Sequence, residues 1–290
     1  MCRYLFPDPG VLIMKTYSRL VLFALFARFI SGASDAQDLP AAADLISNYK
    51  LHERSIKVVE PHQTSKNRYS YVEYAAVPMD ELLPRMFGNE WQFADSQIVF
   101  FAKDGYRSAI SSAKLTKYRA YLAFARSDTQ AFTVDNIEHD QKGIELGPYY
   151  LIWANLGVEE LITHGAYDWP YQVTRIELQR KNIQDKLLPQ NASEATRMGM
   201  LDTEKYCLNC HSIRGIGGQK YPLDLIEASC RWQENALKAW IEAPSAIKSG
   251  TAMPALNRML VPEEREQVIT HIVNYLNALK NEQPLPCANK

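Results

Sequence analysis

The sequence has little of several things that would set its class at once. Five cysteines among 290 residues are too few to staple a chain of this length, so its stability must come from hydrophobic cores. Excess charge of either sign is missing. Thirty-two Lys and Arg face 33 Asp and Glu, for a formal net charge of -1. That balance lacks the basic surplus phosphate binding needs, and excludes nucleic acid as the expected partner. A long hydrophobic run is missing too. Residues 20–30 (LVLFALFARFI) are apolar apart from Arg28, well short of the roughly 20 residues a membrane-spanning helix requires. There is no internal repeat and no low-complexity tract. What remains, 47% hydrophobic and 22% charged, is ordinary globular composition, with length for about two domains.

The short apolar run makes sense as an address. Residues 14–19 (MKTYSR) supply a basic stretch before it, and Ser31/Ala33 and Ser34/Ala36 are spaced as cleavage pairs after it. This is the layout of a secretory signal peptide. Residues 1–36 are therefore expected to be a signal, with translation starting at Met14. The mature chain would begin near Ser34 or Gln37 in the periplasm and keep no membrane span; an uncleaved anchor is the alternative.

Residues 37–66 read as an approach segment with one short helix over 41–50. From 67 to 180 the texture is mixed α+β. Strands are expected at 97–101 (QIVFF), 149–153 (YYLIW) and 171–178 (YQVTRIEL), with turns at Lys103-Asp104-Gly105 and Gly147-Pro148. Helices are expected at 79–87 and 113–125. Polar residues 181–192, including Pro189, suit a linker. Residues 193–290 are helical in texture: Ser193 can cap a first helix, 232–242 make a second, and Pro262 opens a third. The apolar face of the third runs Val268, Ile272, Tyr275, Leu276 and Leu279, close to a period of 3.6.

Two cysteines carry chemistry. Cys207-Leu208-Asn209-Cys210-His211 is a CxxCH motif, the pattern of c-type haem attachment. Thiols three positions apart can reach both vinyl groups on one porphyrin edge as thioethers, and His211 then lies under the ring as an axial ligand. The pattern has rivals. A bare CxxC also serves as a redox dithiol or half a zinc site, with Cys230, Cys287 and His271 as the further zinc ligands nearby. Cys230 and Cys287 can alternatively pair in an oxidising compartment, or Cys230 can be a small buried apolar residue.

Downstream, residues 213–225 read IRGIGGQKYPLDL, Thr251-Ala252-Met253-Pro254 follows, and an amphipathic helix closes the chain. Over about 195–281 this resembles class I c-type cytochromes. The resemblance implies an all-α domain with one covalent haem c on Cys207 and Cys210, and iron held by His211 and Met253. It also implies that the Pro222 carbonyl orients His211, and that Gly199 allows a close helix crossing faced by Tyr275. Thr203 stands where the family usually has an aromatic residue. Met259 and His271 are the other distal candidates, read as a core thioether and a surface or satisfied histidine. Ligation by His and Met fills both axial sites and raises the potential, which favours electron transfer over catalysis at the iron.

The stretch before the linker has landmarks at 101–106 (FAKDGY), 120–124 (AYLAF), 147–153 (GPYYLIW) and 169–178 (WPYQVTRIEL). Over about 70–180 these resemble part of the molybdopterin-binding domain of the sulfite oxidase family. That family binds molybdenum through a protein thiolate, a soft ligand suited to the metal. No cysteine stands between Gln37 and Tyr206, so the domain is expected to have lost the metal. His52, His62, His139 and His164 share no ligand spacing, and Glu138-His139-Asp140 reads as a solvated loop. The aromatics Tyr149, Tyr150, Trp153, Trp169 and Tyr171 are expected in the core.

The function expected from the sequence is a periplasmic monohaem cytochrome that carries single electrons, with catalysis expected on a partner polypeptide. Its partners would be a dehydrogenase as donor and a cytochrome or oxidase as acceptor. A fused molybdenum-dependent sulfite-type dehydrogenase and a haem-bearing sensory module are the alternatives.

Overall fold

A computed structural model describes residues 35–128, 131–137, 141–180, 184–282 and 287. The signal-peptide reading, except its last two residues, and the stretch Glu138-His139-Asp140 lie outside the described residues. Ser34–Lys290 form one compact unit.

The chain begins with β1 (Asp35–Asp38), α1 (Ala42–Tyr49), β2 (Arg54–Val59), β3 (Tyr71–Pro78) and α2 (Met79–Phe87). It continues through β4 (Ser96–Ala102), β5 (Arg107–Ser111), α3 (Ser112–Lys117), β6 (Ala120–Arg126), β7 (Thr133–Asn136), β8 (Gln141–Glu145) and β9 (Tyr150–Trp153). Then come α4 (Glu159–Thr163), β10 (Val173–Arg180), α5 (Gln184–Leu187) and α6 (Glu194–Tyr206). The last part holds β11 (Ser212–Ile213), β12 (Ile216–Gly217), α7 (Leu225–Ser229), α8 (Glu234–Glu242), α9 (Pro244–Ile247) and α10 (Pro262–Glu282).

Two antiparallel sheets of four strands, ordered β1-β10-β4-β5 and β2-β3-β6-β9, carry the first half. Their inner faces share one core in which Tyr74, Phe100, Tyr150 and Trp153 are fully buried. The alternating exposure of β3, with Val72 and Tyr74 in and Tyr71 and Glu73 out, is what a half-buried strand requires. A second core gathers α6, α8 and α10 around Met200, Ile272, Tyr275 and Leu276. Helices α6 and α10 cross at Gly199, where a Cβ would run into the His271 carbonyl oxygen and the Tyr275 side chain. Thr203 is fully buried at this crossing and its hydroxyl donates to the Gly199 carbonyl at 2.7 Å.

Several expectations need correction. The fold is not an α+β domain followed by an all-α class I cytochrome domain. It is a mixed α/β unit with several sheets, whose C-terminal region centres on one long helix, α10. The glycine-bearing loop after the CxxCH also folds as a β ribbon, Ser212 pairing with Gly217 and Ile213 with Ile216 around a turn at Arg214 and Gly215. The approach segment is part of the fold, because β1 pairs with β10 and β2 with β3. The linker is likewise engaged. Leu187 is buried in the second core and its carbonyl accepts the Tyr275 hydroxyl at 2.7 Å. The helix expected over 113–125 stops at Lys117, and β6 follows, since the alternating AYLAFAR pairs with both β3 and β9.

Candidate functional site

The CxxCH sits where α6 ends. Ser193 caps the helix, accepting the Thr196 N–H at 3.2 Å, and the motif continues its winding. Cys207 N–H donates to the Thr203 carbonyl at 2.9 Å, and His211 N–H to the Cys207 carbonyl at 3.0 Å. The following loop then doubles back, with Gly218 N–H on the Leu208 carbonyl at 2.7 Å and Tyr221 N–H on the Cys210 carbonyl at 3.2 Å. Only a residue without a side chain fits at 218, because a Cβ would collide with the Asn209 carbonyl.

The sheet region clamps this loop from the other side. Arg107 N–H donates to the Asn209 carbonyl, and Gln219 N–H to the Gly105 carbonyl, both at 2.8 Å. Lys220 and Asp104 pair at 2.6 Å. The Asp104-Gly105-Tyr106 turn read from the sequence is therefore the element that grips the CxxCH loop. Tyr167 also packs edge-on against Tyr206, with ring centroids 4.7 Å apart.

These elements border a cavity that is partly open to solvent. Cys207, Cys210, His211 and Met253 all line it, and its walls include Leu237, Trp240, Ile241 and Leu276. Trp232 stacks on Trp240 at 5.0 Å. Apolar walls with a few convergent polar groups are what a cofactor pocket needs. The cysteines are free thiols. Burial pushes Cys207 up to about 12 and Cys210 up to about 11, so both stay protonated at neutral pH. A redox dithiol needs the opposite, a lowered pKa.

His211 stacks on Tyr221 at 5.2 Å, and desolvation lowers its pKa. The neutral imidazole, which is the metal-binding form, is thereby favoured. Its Nδ1 is buried without a hydrogen-bond partner among the described residues, and a buried orphan of this kind calls for a partner that is not a protein group. Two free thiols, a neutral histidine with an orphan nitrogen and a thioether around one apolar cavity fit a covalently attached haem. Pro222 is exposed, no carbonyl among the described residues accepts from His211 Nδ1, and Tyr221 abuts the imidazole.

The competing ligands lie elsewhere. Met259 lines a neighbouring cavity, and His271 pairs through Nδ1 with Asp202 at 2.9 Å. Cys230 is bonded to Cys287. All three further zinc candidates are thus engaged, and no group of three or more His, Cys, Asp or Glu suited to a metal ion occurs among the described residues.

Elsewhere, His52 is exposed and pairs with Glu81, while His164 is half-buried with its pKa lowered by desolvation. Tyr149, Tyr150, Trp153 and Trp169 are core residues, and Tyr171 is half-buried. Sequence reading missed the pairing of Glu60 with His62. The signal was local: a carboxylate two residues before a histidine, with Pro61 opening the tight turn between them.

Comparison of the chain with protein-family models, with curated proteins and with solved structures finds no match. Among the described residues no helix is long and apolar enough to cross a membrane.

Proposed function

We propose that this chain is a monohaem c-type electron carrier of the periplasm, serving as partner or subunit of a dehydrogenase. The observation that carries the reading is the convergence of Cys207, Cys210, His211 and Met253 on one apolar cavity. The resemblance of the CxxCH and its downstream loop to c-type cytochromes supports it. The group when bound supplies a one-electron iron couple. Cys207 and Cys210 would hold the porphyrin through thioethers, and His211 and Met253 would hold the iron. Leu237, Trp240 and Ile241 would give the porphyrin an apolar wall. The clamp between Gly105 and Gln219 keeps the attachment loop rigid, which limits the movement of ligands between oxidation states.

Substrate chemistry belongs to a partner polypeptide in this reading. The sheet region has no cysteine to offer molybdenum, so its part is to hold the attachment loop. Cleavage before Ser34 fits the fold better than cleavage before Gln37. The later cut would remove Asp35 and Ala36, which pair with Leu178 and Glu177.

A redox titration of the purified chain tests the reading. One reversible one-electron step, followed in the visible spectrum, is expected; a chain with no reducible chromophore would overturn it.

A further inference from the structure

A second cavity, also opening to solvent, lies between the sheet region and the CxxCH loop. Its lining includes Cys210, Tyr206 and Tyr221, which it shares with the first cavity. On the sheet side it is walled by Tyr106, Trp169 and Tyr171, with His62 at its floor.

His62 is held in a specific state. Glu60 is fully buried and accepts four hydrogen bonds. They come from His62 N–H at 3.1 Å, His62 Nδ1 at 2.9 Å, the Tyr74 hydroxyl at 2.7 Å and the Tyr150 hydroxyl at 3.0 Å. Burial opposes ionisation of Glu60, but the bonds and charge of His62 and the Tyr74 bond outweigh it and keep the carboxyl below its usual value. An ionised acceptor on Nδ1 fixes the proton there. No group among the described residues hydrogen-bonds to Nε2. The nitrogen is not sealed off either: His62 lines the cavity, and of its ring only Nδ1 is engaged. Tyr171 stands edge-on to the imidazole at 5.6 Å.

The charge of the lining selects the ligand class. Its one lysine, Lys220, is neutralised by Asp104 at 2.6 Å, and no arginine lines the space. A small anion would leave its charge uncompensated, which is costly in a partly desolvated site. Flat aromatic walls with one imidazole nitrogen left without a protein partner suit a ring bearing a hydroxyl, which can both donate and accept. We propose that this cavity binds a small, neutral, hydroxylated aromatic molecule, its hydroxyl hydrogen-bonded to His62 Nε2 and its ring packed against Tyr171 and Trp169. The inference goes beyond the electron-carrier reading and does not depend on it.

Equilibrium dialysis of 4-methylphenol against the full chain, purified from a host that matures c-type haem, tests the site directly. Saturable binding at one site with a Kd below about 1 mM is expected. 4-Methylanisole, which has the ring but no O–H, should bind about tenfold more weakly, the worth of one hydrogen bond. 4-Methylbenzoate should be weaker than the phenol as well. His62→Leu, with its secondary structure verified by circular dichroism, should weaken the phenol about tenfold. No saturation by the phenol, equal binding of the anisole, tighter binding of the benzoate, or an unaffected folded His62→Leu would each overturn the proposal. Haem content measured on the same sample keeps this outcome separate from that of the electron-carrier reading.

Discussion

The two cores of this chain are finished in different ways. In the sheet core Tyr74, Tyr149, Tyr150 and Trp153 are fully buried and their polar atoms find protein partners, although among the described residues the buried Trp91 Nε1 has none. Tyr74 and Tyr150 bond to Glu60, Tyr149 to the Pro40 carbonyl, and Trp153 to the Asp168 carbonyl. In the C-terminal core Tyr275 is likewise buried and bonded to the Leu187 carbonyl, but Tyr206, Tyr221, Trp232 and Trp240 stay half-buried around an apolar cavity, and His211 keeps an unpartnered buried nitrogen. Protein interiors are close-packed, so a core with this shape has room for something other than its own side chains.

The strongest way to break this contrast is to remove the attachment points. Cys207→Ala with Cys210→Ala should abolish covalent haem completely, read as loss of haem that stays with the denatured chain; retained covalent haem would sink the assignment. Met253→Ala should keep the covalent haem, lower its potential and open the iron to added ligands. An unchanged potential and spectrum would assign the distal position to another residue.

Smaller effects sharpen the comparison. The Cys230–Cys287 bond closes a separation of 57 residues, so replacing both by serine should cost roughly 4 kcal/mol in the chain-entropy account. The loss should fall on the helical core and leave the sheet core's stability largely intact, as hydrogen exchange would resolve. Gly199→Ala forces α6 away from α10 and should cost about 1–3 kcal/mol. In contrast, Gly88→Ala meets no neighbouring atom, although the backbone there has φ of 60°, so its cost should come from backbone strain alone, about 1 kcal/mol. Thermal denaturation of the two variants separates these causes.

The Glu60 carboxyl gives the sheet core a pH signature. Its folded pKa lies below its ordinary 4.5, so its contribution to stability is fully present above 4.5. That contribution is lost as the pH falls through the lower folded value. Glu60→Gln should therefore flatten the stability curve in this acid window while costing about 1–3 kcal/mol at neutral pH. An identical acid limb in both proteins would contradict the role given to the pair.

Legibility from sequence followed the range of the forces involved. Helix α2 begins and ends where its amphipathic pattern does, and α10 starts at Pro262, because such patterns and caps act within a few residues. The CxxCH and its glycines were readable for the same reason. Less legible were the edges decided by distant partners. Strand β6 follows a helix-like stretch because β3 and β9 flank it, and β1 becomes a strand only because β10 supplies its hydrogen bonds. The expectation of an all-α domain failed on a short local ribbon, whose turn at Arg214 and Gly215 sequence pattern did not distinguish from a plain loop. His62, as a lone histidine, carried no metal-ligand spacing. Its local cue was Glu60 two positions before it, while the Tyr150 hydroxyl that joins them comes from 88 positions away.

The most direct test of the central claim is metal and haem content per chain, measured on protein purified from the periplasm of a host competent in both haem c and molybdenum-cofactor maturation. The account predicts one iron and no molybdenum, with the haem still attached after denaturation. A chain that carries molybdenum, or no covalent haem, would contradict it.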